Sequence, residues 1–288
     1  MIVTILRQIV PFALAGGATI MAISAIAPAA AADASQWDSD THSAVRLIAG
    51  SRRGEPLSTT IRAGIEIKLD PGWKTYWRYP GDSGVPPRFD FEPTENLKSI
   101  TVSWPAPLRL KDDGGHSIGY LGGVILPLAI VPQDPAKPVM LRLKIDYAVC
   151  AKICIPAAGK AELLLAGGPS VHETALAAME ARAPKLAAVG EPGPLAIRAV
   201  RRETGAGKSR ILVDVIAPEH VAVDLFAEGP NPDWALPLPE PVTGAPAGTR
   251  RFAFALDGIP PGGKTEGATL RLTATAGGHA IEVTTHLD

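Results

Sequence analysis

The chain has 288 residues, with 28 basic and 29 acidic side chains, a formal net charge of −1 and two cysteines. That balance excludes the electrostatic footprint of a nucleic-acid binder or of a protein held on an anionic membrane. Glycine (29) and proline (28) occur without periodic spacing, which suits short strands joined by turns and not a helical bundle.

The first 32 residues read as a signal peptide. Arg7 precedes an apolar run from Ile9 to Ile26, and small residues lead to a cleavage point after Ala32. Cleavage leaves 27 basic against 29 acidic residues, and predicts a periplasmic chain in a compartment where disulfides are permitted. No later stretch approaches the ~20 apolar residues of a membrane helix.

Residues 36–168 are predicted to form a β-sandwich domain. In Ile61–Leu69 the apolar residues fall on odd positions, and Leu141, Leu143, Ile145, Tyr147 and Val149 repeat the pattern against Arg142, Lys144 and Asp146. Such alternation marks strands with one buried face. Val45–Leu47 and Val124–Ile130 are further strands, with Pro127 suggesting an edge or a bulge. Between them, Trp73, Tyr76, Trp77 and Tyr79 crowd around the Pro80-Gly81 turn. They suit packing or a sugar-stacking platform, with Asp82 and Arg88 orienting the neighbouring loops.

Residues 169–192 are predicted to be a helix and linker. Ser170 and Glu173 have capping-box spacing, 173–182 is rich in helix formers, and Pro184 ends the run. Residues 193–288 return to alternation in 211–215, 221–225 and 252–256, then in a hairpin turned by Gly277-Gly278. The fold class expected is all-β: two Ig-like sandwiches joined by a short helix and linker.

The two cysteines, Cys150 and Cys154, close a ring too small for a strong staple, with a chain-entropy stabilisation of roughly 2 kcal/mol. Continuing the alternation from Val149 places Cys150 with Arg142, Lys144 and Asp146, on the face opposite the core and towards solvent. Cys154 follows a short bend before Pro156, and Lys152 between them would stabilise a thiolate if its side chain turned towards it. Three chemistries fit: a structural disulfide, a Cu(I) site completed by Met140, Met179 or a histidine, and thiol–disulfide exchange. Exchange is the reading favoured. No paired carboxylates, Ser/His/Asp signature, phosphate loop or clustered metal motif appears, and no cofactor is expected.

Three blocks resemble the periplasmic N-terminal domain of the thiol:disulfide interchange protein DsbD, and more closely its relative ScsB from copper-tolerance systems. They are the redox segment Tyr147–Pro156, the aromatic segment Gly72–Gly84, and the stretch from Trp104 through Gly119 to Pro127. The resemblance implies an Ig-like electron relay in which Cys154 exchanges with partners and Cys150 resolves. It also implies a cap loop over the pair, here 112–120, with Ile118 or Tyr120 as the cover. His116 on that loop is a candidate general base or simply solvated. The family's cysteine spacing is wider than the one here. The sequence holds no membrane domain and no Cys-x-x-Cys module. The expectation is therefore a protein-disulfide reductase component, incomplete by itself. It would be fed by a separate membrane-embedded thiol transporter and would act on periplasmic thioredoxin-like or other exported proteins, with links to copper stress or cytochrome maturation. The rival is a periplasmic copper-binding or protein-interaction module with a structural disulfide.

Overall fold

The computed structural model describes residues 32–53, 60–81, 84–112, 115–204 and 209–288. The signal-peptide segment (all but Ala32), Asp82, and Asp113 and Gly114 of the expected cap loop lie outside the described residues. In chain order the first half runs β1 (Asp38–Asp40), β2 (Ser43–Arg53), β3 (Thr60–Leu69), β4 (Lys74–Gly81), β5 (Arg88–Asp90) and β6 (Leu97–Val102). It continues with β7 (Leu108–Asp112), β8 (Gly115–Leu121), β9 (Gly123–Pro132), β10 (Val139–Cys150) and β11 (Cys154–Leu165). One sheet has the order β1-β2-β3-β9-β6; the other is β11-β10-β4-β8-β7, with β5 added against β10. The odd residues of β3 and β10 that alternate as apolar in sequence, among them Ile65, Ile67, Leu141 and Leu143, fill the core between the two sheets. Burying each such side chain contributes about 1.5–3 kcal/mol.

Pro127 falls inside the strand order, because β9 pairs with β3 on one side and β6 on the other. Its missing donor is still accommodated. The β6 ladder ends at Val102↔Leu128, so Pro127 lies just past it and accepts Ser103 N–H through its carbonyl at 2.8 Å.

The helix α1 spans Glu173–Ala181, close to the predicted run, but its start is not a capping box. His172 is the N-cap residue and makes no side-chain cap bond. The Glu173 carboxylate instead accepts from Ser51 N–H and from the Arg62 guanidinium on β3, while Glu180 accepts from Arg62 at 2.7 and 2.9 Å. A buried guanidinium requires acidic partners, and Arg62 is 5% exposed; that demand outweighs a local cap. Leu176 is the buried residue of this helix.

Beyond the helix come β12 (Lys185–Ala187), β13 (Ala196–Glu203), β14 (Arg210–Ile216), β15 (Val223–Glu228), β16 (Glu240–Val242), β17 (Arg250–Ala255), β18 (Thr269–Ala276) and β19 (His279–His286). They form two four-stranded sheets, β12-β19-β18-β15 and β13-β14-β17-β16, around a second core. The stretch expected as linker thus contains a strand, β12, parallel to β19. Gly277 and Gly278, with φ of 56° and 83°, turn β18 into β19 as the sequence predicts.

The two halves pack directly on each other within one compact unit. Arg109 of β7 donates to Asp224 at 3.0 Å, to Glu240 at 2.8 Å and to the Pro239 carbonyl at 2.7 Å. Phe226 of β15 belongs to the first core.

Candidate redox site

The site is built on the β10–β11 hairpin. Its register pairs Tyr147 with Ala157, Val149 with Ile155 and Cys150 with Cys154. Ala151 N–H donates to the Ile153 carbonyl at 3.1 Å, which marks the odd-numbered pairs as hydrogen-bonded. The even positions of β11 turn their backbone groups away from β10. Pro156 has no N–H to offer, while Ala158 and Lys160 donate outward to the carboxylates of Asp40 and Asp38 at 3.4 and 2.7 Å. Cys150 and Cys154 therefore occupy a non-hydrogen-bonded pair, where opposed side chains come closest. Their Cα atoms are 4.2 Å apart and their sulfurs form a disulfide.

The two sulfurs differ in exposure. Cys154 is exposed at the start of β11, whereas Cys150 is only 3% exposed. Sequence alternation assigns Cys150 to the sheet face opposite the main core, and it lies there with Ala148, but that face is covered. β4 runs beside β10 with Val149 opposite Thr75 and Cys150 opposite Lys74. Tyr76, one step along and on the outer face, reaches diagonally over the cysteine. Tyr76, Ala148 and Cys150 make a small buried cluster of their own.

The Tyr76 hydroxyl lies 3.1 Å from each sulfur. Disulfide sulfurs carry no proton, so the phenol is the donor. Burial first, and the nearby Asp112 carboxylate second, push its pKa above the ordinary tyrosine value, so it remains a donor at neutral pH. Gly84 backs the ring: a Cβ there would fall 2.6 and 2.8 Å from two ring carbons and 2.3 Å from Pro80 Cβ. On the same face Lys74, buried, pairs with the Asp112 carboxylate and donates to Ser117 Oγ at 2.9 Å.

The residues expected over the pair have other places. Ile118 and Tyr120 lie on β8 but point to the opposite face, into the main core, because Gly119 takes the outward position beside Tyr76. Tyr120 donates to the Pro105 carbonyl at 2.8 Å, and burial drives its pKa far upward. The cover is Tyr76. His116 is half-buried on β8, and Tyr76 alone supplies the hydrogen bonds to the sulfurs among the described residues. Lys152 and Ile153 are exposed at the hairpin tip. Met140 sits opposite Leu164 near the other end of β10, on the order of 30 Å from Cys150 at strand rise. Met179 is on α1.

The aromatic block is packing. Trp77 is fully buried, Trp73 stacks on His42 with centroids 3.8 Å apart, and Tyr79 donates to the Trp234 and Leu236 carbonyls at 2.9 and 3.2 Å. Two of the four rings are buried, so they present no common stacking platform. Tyr76 is the residue over the sulfurs that strand counting did not single out. Its signal was its even position in β4, in phase with Lys74 and out of phase with Trp77.

Residues 46–166 match the family model described as the N-terminal domain of the thiol:disulfide interchange protein DsbD. A search of curated proteins finds no match. Among solved structures, the chain is similar to the N-terminal periplasmic domain of ScsB from Proteus mirabilis. The TM-score is 0.68 at 20% identity, covering 88% of this chain and 97% of that one. No helix among the described residues is long and apolar enough to cross a membrane. Over the matched segment, 46–166, which contains the disulfide hairpin, the chain is similar to the DsbD N-terminal domain.

Proposed function

We propose that the chain is an exported thiol–disulfide exchange protein working through Cys150 and Cys154 in the periplasm. The observation that carries this reading is the asymmetry of the pair, one sulfur exposed and the other buried under a phenol. A partner thiolate attacks the accessible Cys154 Sγ. A bond forms between the partner sulfur and Cys154, the Cys150–Cys154 bond breaks, and its electron pair leaves on Cys150 Sγ. The Tyr76 hydroxyl donates to that thiolate, and hydrogen bonding to the charged form favours it. A second thiolate of the donor then attacks the donor's own sulfur in the mixed disulfide, freeing Cys154 and leaving the donor oxidised.

In the forward half-cycle the reduced Cys154 attacks an oxidised partner, and Cys150 resolves the mixed disulfide. The similarity to the DsbD N-terminal domain supports a membrane-embedded thiol transporter as the electron donor and periplasmic thioredoxin-like proteins as the acceptors in this reading. The small ring supports the same reading, since it adds little as a staple.

Single serine variants test the roles. Cys150→Ser should accumulate mixed disulfides through Cys154, and Cys154→Ser should trap almost none; equal trapping by both would sink the assignment. Equilibration against glutathione tests the function itself, because a potential well below about −300 mV marks a structural bond.

A further inference from the structure

The strand that carries Tyr76 is held by the C-terminal half, residue by residue. The Trp77 ring lies 5.9 Å from that of Phe226. Arg78 donates through Nε to both carboxylate oxygens of Glu228 at 3.2 and 3.0 Å. Through Nη2 it reaches Glu228 at 2.6 Å and also Glu282, and its guanidinium lies 4.3 Å over the Trp77 ring. Tyr79 is tied to the Trp234 and Leu236 carbonyls.

Beyond β4, Gly84 lies against the Tyr76 phenol. Gly84 and Pro86 line a cavity of about 180 Å3 together with Pro232, Trp234 and Leu236. Three consecutive anchors and a backing loop thus fix the residue whose hydroxyl lies 3.1 Å from both sulfurs.

We infer that the C-terminal half is a positioning element for the redox site, acting through Arg78 to hold the Tyr76 hydroxyl on the two sulfurs, with Gly84 backing the ring. Hydrogen bonds weaken steeply with misalignment, so a phenol on a strand gripped from outside is worth more to a leaving thiolate than one free to swing. Arg78 and Gly84 are positioning residues in this scheme, and Tyr76 is the group that touches the reacting atoms. The inference rests on reading Cys150–Cys154 as the exchanging pair.

A double-mutant cycle on the full chain tests it, with dithiothreitol as the probe and the rate of disulfide reduction as the readout. Tyr76→Phe should slow reduction about tenfold, the loss expected for a hydrogen bond to a developing charge. Arg78→Met and Gly84→Ala should each slow it severalfold, Arg78→Lys should recover most of the Arg78 loss, and neither Arg78→Met nor Gly84→Ala should slow the Tyr76→Phe protein further. Effects that multiply with Tyr76→Phe, or a lowered Tm with unchanged rates, would overturn the inference. If Arg78→Met fails to fold, Glu228→Gln, which removes the charge that Arg78 pairs with, carries the cycle with the same expected and overturning outcomes. Dithiothreitol reduces the bond whether or not the protein relays electrons, so failure of the relay reading leaves this result interpretable.

Discussion

Two hairpins in this molecule solve the same problem differently. β18–β19 reverses through Gly277 and Gly278, both in left-handed conformations, and holds its register with no covalent link. β10–β11 reverses through Ala151, Lys152 and Ile153, none of them with positive φ, and carries the disulfide. The second resembles a poor turn mended by a staple. Its ladder argues otherwise, because pairing runs unbroken from Val139↔Leu165 to Cys150↔Cys154. The backbone has already brought the cysteines face to face, and the bond between them is chemistry laid on a finished scaffold.

The comparison can be broken at several points. The largest effect belongs to the glycine turn. Replacing both Gly277 and Gly278 with alanine should cost about 2–4 kcal/mol, at ~1–2 for each residue forced left-handed. Urea unfolding reads that loss, and dithiothreitol should reduce the disulfide at an unchanged rate. A stability unmoved by the double substitution would mean that the turn is not what closes β18–β19.

Reduction of Cys150–Cys154 should matter less, lowering stability by at most roughly 2 kcal/mol. Hydrogen exchange should still find the amides of Leu143, Ile145 and Tyr147 protected, since they belong to the ladder and not to the bond. Loss of that protection would make the disulfide a staple after all.

The smallest effect concerns the outer edge of β11. The Asp40 carboxyl is held below the ordinary aspartate value, chiefly by the Thr41 N–H and with help from the Ala158 N–H. A depressed folded pKa contributes stability above the unfolded value near 3.9 and loses it as pH falls through the folded one. Asp40→Asn should lower neutral stability slightly and flatten the stability–pH curve below about pH 4 by the same small amount. An identical acid limb in both proteins would remove Asp40 from the account.

The sequence is legible where one local rule decides. Alternation in 61–69 and 141–149 gives two central strands and even the sheet face of Cys150, because side-chain direction in a strand depends only on counting. It does not give the burial of Cys150, which depends on Tyr76 arriving from 74 residues away. The same limit applies to Ile118 and Tyr120. Their loop is where the family resemblance puts a cover, but the phase of β8 turns them inward and leaves Gly119 outward. Glu173 fits a capping box until Arg62, 111 residues off, claims its carboxylate. For Cys150 and Glu173 the difference is a long-range partner overriding a short-range rule.

The carboxylates of Asp38 and Asp40 have a further consequence for the molecule in a crowd. A bare β11 edge would offer its donors to any passing strand, including the same edge of a second copy. With Ala158 and Lys160 already satisfied by those side chains, copies of the chain have little to zip together along this edge. An accessible disulfide can then sit at its end without seeding polymers.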